Sequence, residues 1–361
     1  MASHRIAVIP GDGIGPEVVG EGLRVLERVA SLHGFEIRPT RFPFGAEHYL
    51  ESREVLPDAA FSEIRAHDAI LLGAIGDPRI EVGLLEFGII ARLRFDLDLY
   101  VNLRPVRLYA EHLCPLKDVR PEDVDFTVVR ENTEDAYAGM RGFFKKGTPD
   151  EIATQEILFT RKGVERAIRY AFELARTRPA RAGRPKKLTL IDKANAIRAM
   201  DLWTRTFAEV GAEYPDVTRD HQYIDAACMY VVRDPAQYDT VVTSNMFGDI
   251  FTDLSAMIQG GLGIAASGNI HPGRVSLFEP IHGSAPKYAG RGVANPIATI
   301  MAISMMLGYL GESSAAQHIE EAVADLLRSR RLPSLGTDSG FSTRQIGDLV
   351  IEALEQVRAA S

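Results

Sequence analysis

The chain is short of sulfur, of long uncharged apolar runs and of positive charge, and each shortage removes a class of function. Only Cys114 and Cys228 occur among 361 residues, far apart and in no CxxC or Cys/His spacing, so neither a disulfide framework nor a zinc site is indicated. No uncharged run of about 18 residues is present, and "MASH" leads straight into "RIAVIPGDGIG" without the apolar core of a signal peptide. The expected location is the cytoplasm, with no membrane association. A net charge of −8 argues against general affinity for nucleic acid or anionic lipid. The one basic, Pro- and Gly-rich stretch, "RTRPARAGRPKK" (176–187), has no aromatic residue among its charges and is expected to be a solvated loop. The third glycine of a dinucleotide fingerprint is also missing. "GDGIGPE" (11–17) sits where that motif would sit, between a strand and a helix, yet ends in Pro16 where the fingerprint continues to another glycine. A second cluster, "GLGIAA" (261–266), follows a helix and leads to no clear acidic ribose ligand. Both read as tight turns.

What is present is a soluble, globular pattern, 46% hydrophobic and 25% charged. Short β-branched runs, "RIAVI" (5–9), "AILLGAI" (69–75), "DFTVVR" (125–130), "KLTLI" (187–191) and "DTVVT" (239–243), alternate with helical spacings such as Val18, Leu23, Leu26 and Val29. Such alternation predicts an α/β fold with helices packed on a largely parallel sheet. In "NPIATIMAISMMLGYLG", Asn295 is the expected N-cap, Pro296 the first helical residue and Gly311 the stop. Two more amphipathic helices, about 314–329 and 343–359, complete the chain.

Two groups of residues carry chemistry. In "FGDIFTDLSAMI" (247–258), Asp249 and Asp253 share one helix face within an apolar segment. Hard carboxylate oxygens placed together suit Mg²⁺ or Mn²⁺, although the same spacing also occurs on solvated helix faces. Arg94 near a helix end, Arg104 in an extended run and Arg130 at a strand end present planar forks suited to carboxylates.

"IPGDGIGPEV", "NLRPVRL", "VVRENTEDAYAG", "DKAN", "HQYIDA", "SNMFGDIFTDL" and "FEPIHGSAPKYAG" with a following "ANP" occur in an order that resembles the metal-dependent β-decarboxylating dehydrogenases. That family comprises the 3-isopropylmalate, isocitrate, homoisocitrate and tartrate/D-malate enzymes, and the resemblance runs from about residue 4 to about residue 356. It implies two α/β/α lobes, not a standard Rossmann domain, with the active site in the cleft. Residues 1–100 and 260–361 would form the cofactor-binding lobe. Residues 101–259 would form the smaller lobe, with the metal-binding acids and an arm around 138–160 that pairs with a second subunit. The resemblance further implies Asp249, Asp253 and a partner's copy of Asp225 as metal ligands, and Arg94, Arg104 and Arg130 as the malate clamp. Tyr137 and Lys193 match the acid/base pair. Lys193, Asn195 and Asp225 would serve the second subunit's site, so a homodimer is expected.

Members differ in the helix before Arg94, here "LLEFGIIARLR", where Phe87, Ile89, Ile90 and Ala91 are the candidate wall for the substituent on C3. An apolar wall favours an alkyl group over a third carboxylate, which would lose its solvation there. The expected reaction is oxidative decarboxylation of 3-isopropylmalate to 4-methyl-2-oxopentanoate, a step of leucine biosynthesis. Tartrate/D-malate, homoisocitrate or isocitrate chemistry are the alternatives within the family, and a non-catalytic regulatory subunit is the alternative outside enzymes. His282, Ala285 and Asn295 are the expected adenosine contacts. Lys287 and Tyr288 stand where NAD-dependent relatives usually carry an Asp and an aliphatic residue. The subfamily resemblance implies NAD as the cofactor, while Lys287 and Tyr288 keep NADP open, since a lysine attracts a 2′-phosphate.

Overall fold

A computed structural model describes residues 2–179 and 185–360, with side chains through residue 356. Part of the basic 176–187 segment therefore lies outside the described residues. In chain order the strands are β1 (Ser3–Gly11), β2 (Glu36–Arg41), β3 (Ala69–Ala74), β4 (Val101–Arg107), β5 (Asp125–Glu131), β6 (Arg141–Phe144) and β7 (Ile152–Gln155). They continue as β8 (Lys187–Asp192), β9 (Thr218–Tyr223), β10 (Thr240–Thr243), β11 (Ala266–Ile270) and β12 (Ser276–Pro280). The chain divides into two compact units: Met1–Leu99 with Arg107–Pro121 and Ala256–Ser361, and Tyr100–Val106 with Glu122–Ser255.

In the first unit the strand order is β2-β1-β3-β12-β11. The β1/β2, β1/β3 and β3/β12 pairs are parallel, with Val8 beside Leu71 and Leu71 beside Phe278, while β11 and β12 are antiparallel. Ile6 to Ile9 and all of β3 are buried, as expected for strands covered on both faces. Alternation along β1 splits the core in two. Ile6 and Val8 join Leu71, Phe278 and the helices Gly15–His33, Ile297–Tyr309 and Ser313–Arg328, whereas Ala7 and Ile9 join Leu72, Leu277, Phe42 and Ile89. Gly34, at φ 75°, ends the first helix in the left-handed conformation. The segment Arg107–Pro121 groups with this unit: the Arg107 N–H donates to Gln259 Oε1 at 2.8 Å, and Tyr109 and Ala110 enter its core. At Ile297–Tyr309, Pro296 lies one place before the helix, and Asn295 Oδ1 accepts from the Ile297 N–H at 2.9 Å.

In the second unit the order is β4-β5-β10-β8-β9, with β5/β10, β10/β8 and β8/β9 parallel. Phe126, Phe172 and Trp203 are fully buried there. The helix Arg161–Thr177 is capped by Thr160 Oγ1, which accepts from the Gly163 N–H at 3.0 Å. β6 and β7 form a two-stranded antiparallel hairpin on which Phe143, Phe144 and Ile152 are exposed.

Candidate active site

The helix Asn245–Ile258 gathers most of the charged groups that the sequence singled out in the second unit. Asp249 and Asp253 do share one face. Arg104, projecting from β4, donates through Nη2 to Asp249 Oδ1 at 3.3 Å and through Nη1 to Asp253 Oδ1 at 3.5 Å and Thr252 Oγ1 at 2.6 Å. Its Nε donates to Asn102 Oδ1 at 2.7 Å, two residues earlier and so on the same face of β4. Arg130, at the end of β5, donates through Nη1 to Asp249 Oδ1 at 2.5 Å. Gly248 makes this approach possible, because a Cβ there would stand 2.5 Å from Arg130 Cγ. Tyr137, in the short 3₁₀ turn Asp135–Ala138, donates its hydroxyl to Asp249 Oδ2 at 3.2 Å, and Arg130 Cζ lies 5.7 Å from the centre of its ring.

Burial pushes the Tyr137 phenol above its ordinary value and the Asp249 charge adds to the rise, so the hydroxyl keeps its proton at neutral pH. Burial also raises the Asp253 carboxyl, opposed by Arg104. Two carboxylates are a fitting donor set for a hard divalent cation, and Asp253 Oδ2 has no protein donor among the described residues. Asp225 does not join them within one chain: among the described residues no three His, Cys, Asp or Glu side chains converge as a metal site.

Lys193 and Asp225 meet elsewhere in the second unit, Nζ donating to Oδ1 at 2.6 Å, and the ammonium holds the Asp225 carboxyl below its usual range. The buried Asp192 behind Lys193 accepts from His221 Nε2 at 2.9 Å. Asn195 is exposed in the same loop.

In the first unit Arg94 donates through Nη2 to Glu279 Oε1 at 2.8 Å, and Asn269 Nδ2 reaches the same oxygen at 2.8 Å. The preceding segment Glu86–Ala91 is a π-helical turn. It corrects one expectation, since Ile89 is fully buried in the core rather than part of a substrate wall. Phe87 is 44% exposed, and Ile90 and Ala91 are half-buried. Arg92 bonds the Leu56 carbonyl, Asp58 and, at 3.3 Å, Asp96, with its guanidinium over the Phe61 ring.

The glycine loop is structural. Gly13, at φ +58°, has Ser284 O only 1.9 Å from where a Cβ would stand, and the Ile14 N–H donates to that oxygen at 2.9 Å. This ties the loop to the His282–Tyr288 segment, beside which Ile75, Gly76, Glu86, Gly283 and Pro286 line a cavity of about 460 Å³. Among the described residues His282 Nε2 is buried without a partner, and burial pushes the imidazole below its ordinary value, so a neutral ring offers one unsatisfied nitrogen. Ala285 is left-handed at φ 41°. Lys287 is exposed, its Nζ 4.8 Å from the centre of the Tyr288 ring. Asn295 donates through Nδ2 to Leu335 O at 3.1 Å and accepts at Oδ1 from the Ile297 N–H at 2.9 Å, two bonds that orient an amide with a second N–H and a second lone pair. Arg344 faces Glu21 and Asp348.

Asn102, Asn245, Thr252 and Glu279 are the site residues that sequence reasoning passed over. Their signal was a polar side chain inside a buried apolar strand or helix, where it requires a partner.

The family model described as isocitrate/isopropylmalate dehydrogenase matches residues 5–350. A 3-isopropylmalate dehydrogenase of Thermobifida fusca is 52% identical over 356 residues, covering 98% of each chain. One from Frankia casuarinae is 50% identical over 95% of this chain and 97% of its own. Among solved structures, an isocitrate dehydrogenase from Methylococcus capsulatus superposes with a TM-score of 0.85 at 39% identity, covering 98% of this chain and 100% of that one. No helix among the described residues is long and apolar enough to cross a membrane.

Proposed function

Because the chain belongs to the isocitrate/isopropylmalate dehydrogenase family, we propose that it oxidatively decarboxylates 3-isopropylmalate, with Mg²⁺ or Mn²⁺ and NAD, in the cytoplasm and as a homodimer. The observation that carries the choice of substrate is Arg92. Isocitrate bears a third carboxylate, and the cation closest in sequence to the apolar residues Phe87 and Ile90 is held by Leu56, Asp58 and Asp96. An alkyl substituent needs no such partner.

Asp249 and Asp253, with Asp225 of the partner subunit, would hold the cation, and His282, Ala285, Lys287, Tyr288 and Asn295 would meet the dinucleotide. When bound, the cation would supply Lewis acidity and the dinucleotide would serve as hydride acceptor. Arg94, Arg104 and Arg130 bind and orient the two malate carboxylates. Lys193, which like Asp225 would come from the partner subunit, takes the proton of the 2-hydroxyl in its neutral amine form, and the Asp225 carboxylate, 2.6 Å from Nζ within one chain, stabilises the ammonium so formed. After CO₂ leaves, Tyr137 Oη, protonated at neutral pH, returns a proton to the former C3. Exposed Phe143, Phe144 and Ile152 on the hairpin, together with Met229 and Val232 on the helix Ile224–Arg233, support a second copy as partner.

The comparison of kcat/KM for 3-isopropylmalate and isocitrate tests this reading. A ratio of about 100 or more in favour of the alkyl substrate is expected, and equal or faster turnover of isocitrate overturns it. The same assay with NADP tests the second cofactor reading, favoured by the exposed Lys287.

A further inference from the structure

We infer that Asn245 is a positioning residue for Arg130, a neutral oxygen that fixes the direction of the guanidinium without cancelling its charge. The inference rests on the reading that Arg130 receives a substrate carboxylate.

Arg130 is a buried cation, its side chain 2% exposed. Its Nε and Nη2 both donate to Asn245 Oδ1, at 3.0 and 2.7 Å. The other end of the Asn245 amide is tied down as well, Nδ2 donating to the Glu134 carbonyl at 3.1 Å. These partners decide the amide's orientation, since only its oxygen accepts from a guanidinium and only its nitrogen donates to a carbonyl. One helical turn then holds the whole arginine, with Asn245 at the Nε edge, Gly248 against the stem and Asp249 at Nη1. The turn itself is anchored by Asp135 Oδ2, which accepts from the Met246 N–H at 2.9 Å.

Position 245 sets how strongly this arginine attracts an anion. An aspartate of the same shape would form a charge-assisted, fork-like pair along the same edge and compete with an incoming carboxylate. Arg104 repeats the arrangement through Asn102 Oδ1, whereas Arg94 is paired with the Glu279 carboxylate. Two arginines of the proposed clamp therefore have their Nε edge oriented by an uncharged amide.

The test compares wild-type enzyme with Asn245→Asp and Asn245→Ala. Three quantities are read with Mg²⁺ in excess: the Kd for D-malate by calorimetry, kcat and KM with 3-isopropylmalate, and the melting temperature. Asn245→Asp is expected to melt at or above the wild-type temperature while Kd and KM rise by about tenfold or more and kcat changes far less. Asn245→Ala, which strips two buried donors of their acceptor, is expected to melt lower and to lose both KM and kcat. Wild-type values of Kd and KM in Asn245→Asp overturn the inference while leaving the proposed function intact. A wild-type protein that neither binds nor turns over a malate overturns the substrate reading, and this inference with it.

Discussion

Glu131 follows Arg130 on β5 and is completely buried, which makes its ionisation a sensitive test of the physical picture. Burial pushes its carboxyl up to about 7 from 4.5, against three donors that favour the charged form: Thr133 N–H at 2.8 Å, Thr133 Oγ1 at 2.7 Å and Glu134 N–H at 2.9 Å. The folded state thus keeps a proton that the unfolded state releases. That contribution to stability is complete below pH 4.5 and is lost as pH rises to about 7. The gap corresponds to roughly 3 kcal/mol. Glu131→Gln removes the titration, and because its amide NH₂ meets the Glu134 N–H, it carries a constant cost of about 1 kcal/mol at every pH. For a chain of 361 residues, 3 kcal/mol is about 4 °C in Tm. Thermal melts of both proteins at pH 5 and pH 8, at one protomer concentration, should show Glu131→Gln gaining about 3–4 °C on wild type between the two conditions. A difference in Tm that is the same at both pH values refutes the reasoning and means that the three donors keep Glu131 ionised when folded.

Tyr137→Phe is expected to lower kcat by about 100-fold or more with KM within a factor of about three, because the phenol gives a proton and its loss leaves the carboxylate clamp in place; unchanged kcat in steady-state assays contradicts this. Phe172 stacks on Phe207 and Tyr214, with ring centres 5.3 and 4.8 Å away, so Phe172→Ala should cost about 3–5 kcal/mol, roughly 4–7 °C by calorimetry. Lys287→Asp should lower kcat/KM for NADP relative to NAD by about tenfold or more, since a carboxylate repels the 2′-phosphate and accepts from ribose hydroxyls; an unchanged ratio removes Lys287 from cofactor selection.

Residues whose role is set by local spacing were legible in the sequence. Asp249 and Asp253 are neighbours on any α-helix, and β1 reads as a strand buried on both faces because Ile6 to Ile9 form a short apolar run. The unread part depends on partners distant in the chain. Nothing local to Asn245 points to Arg130, which lies 115 residues earlier, or to Glu279 as the partner of Arg94, 185 residues away. Ile89 was misplaced for a different reason: helical periodicity assumes 3.6 residues per turn, and the π-helical turn Glu86–Ala91 shifts which side chains face the core.

The central claim is that this chain couples oxidation at C2 to loss of CO₂ from a 3-alkyl malate. Its most direct test records NADH and CO₂ simultaneously from 3-isopropylmalate with NAD and saturating Mg²⁺. Equal amounts of the two products, both abolished by a chelator and restored by added Mg²⁺ or Mn²⁺, are expected. NADH without CO₂, or neither product from 3-isopropylmalate while isocitrate or tartrate is consumed, contradicts the account.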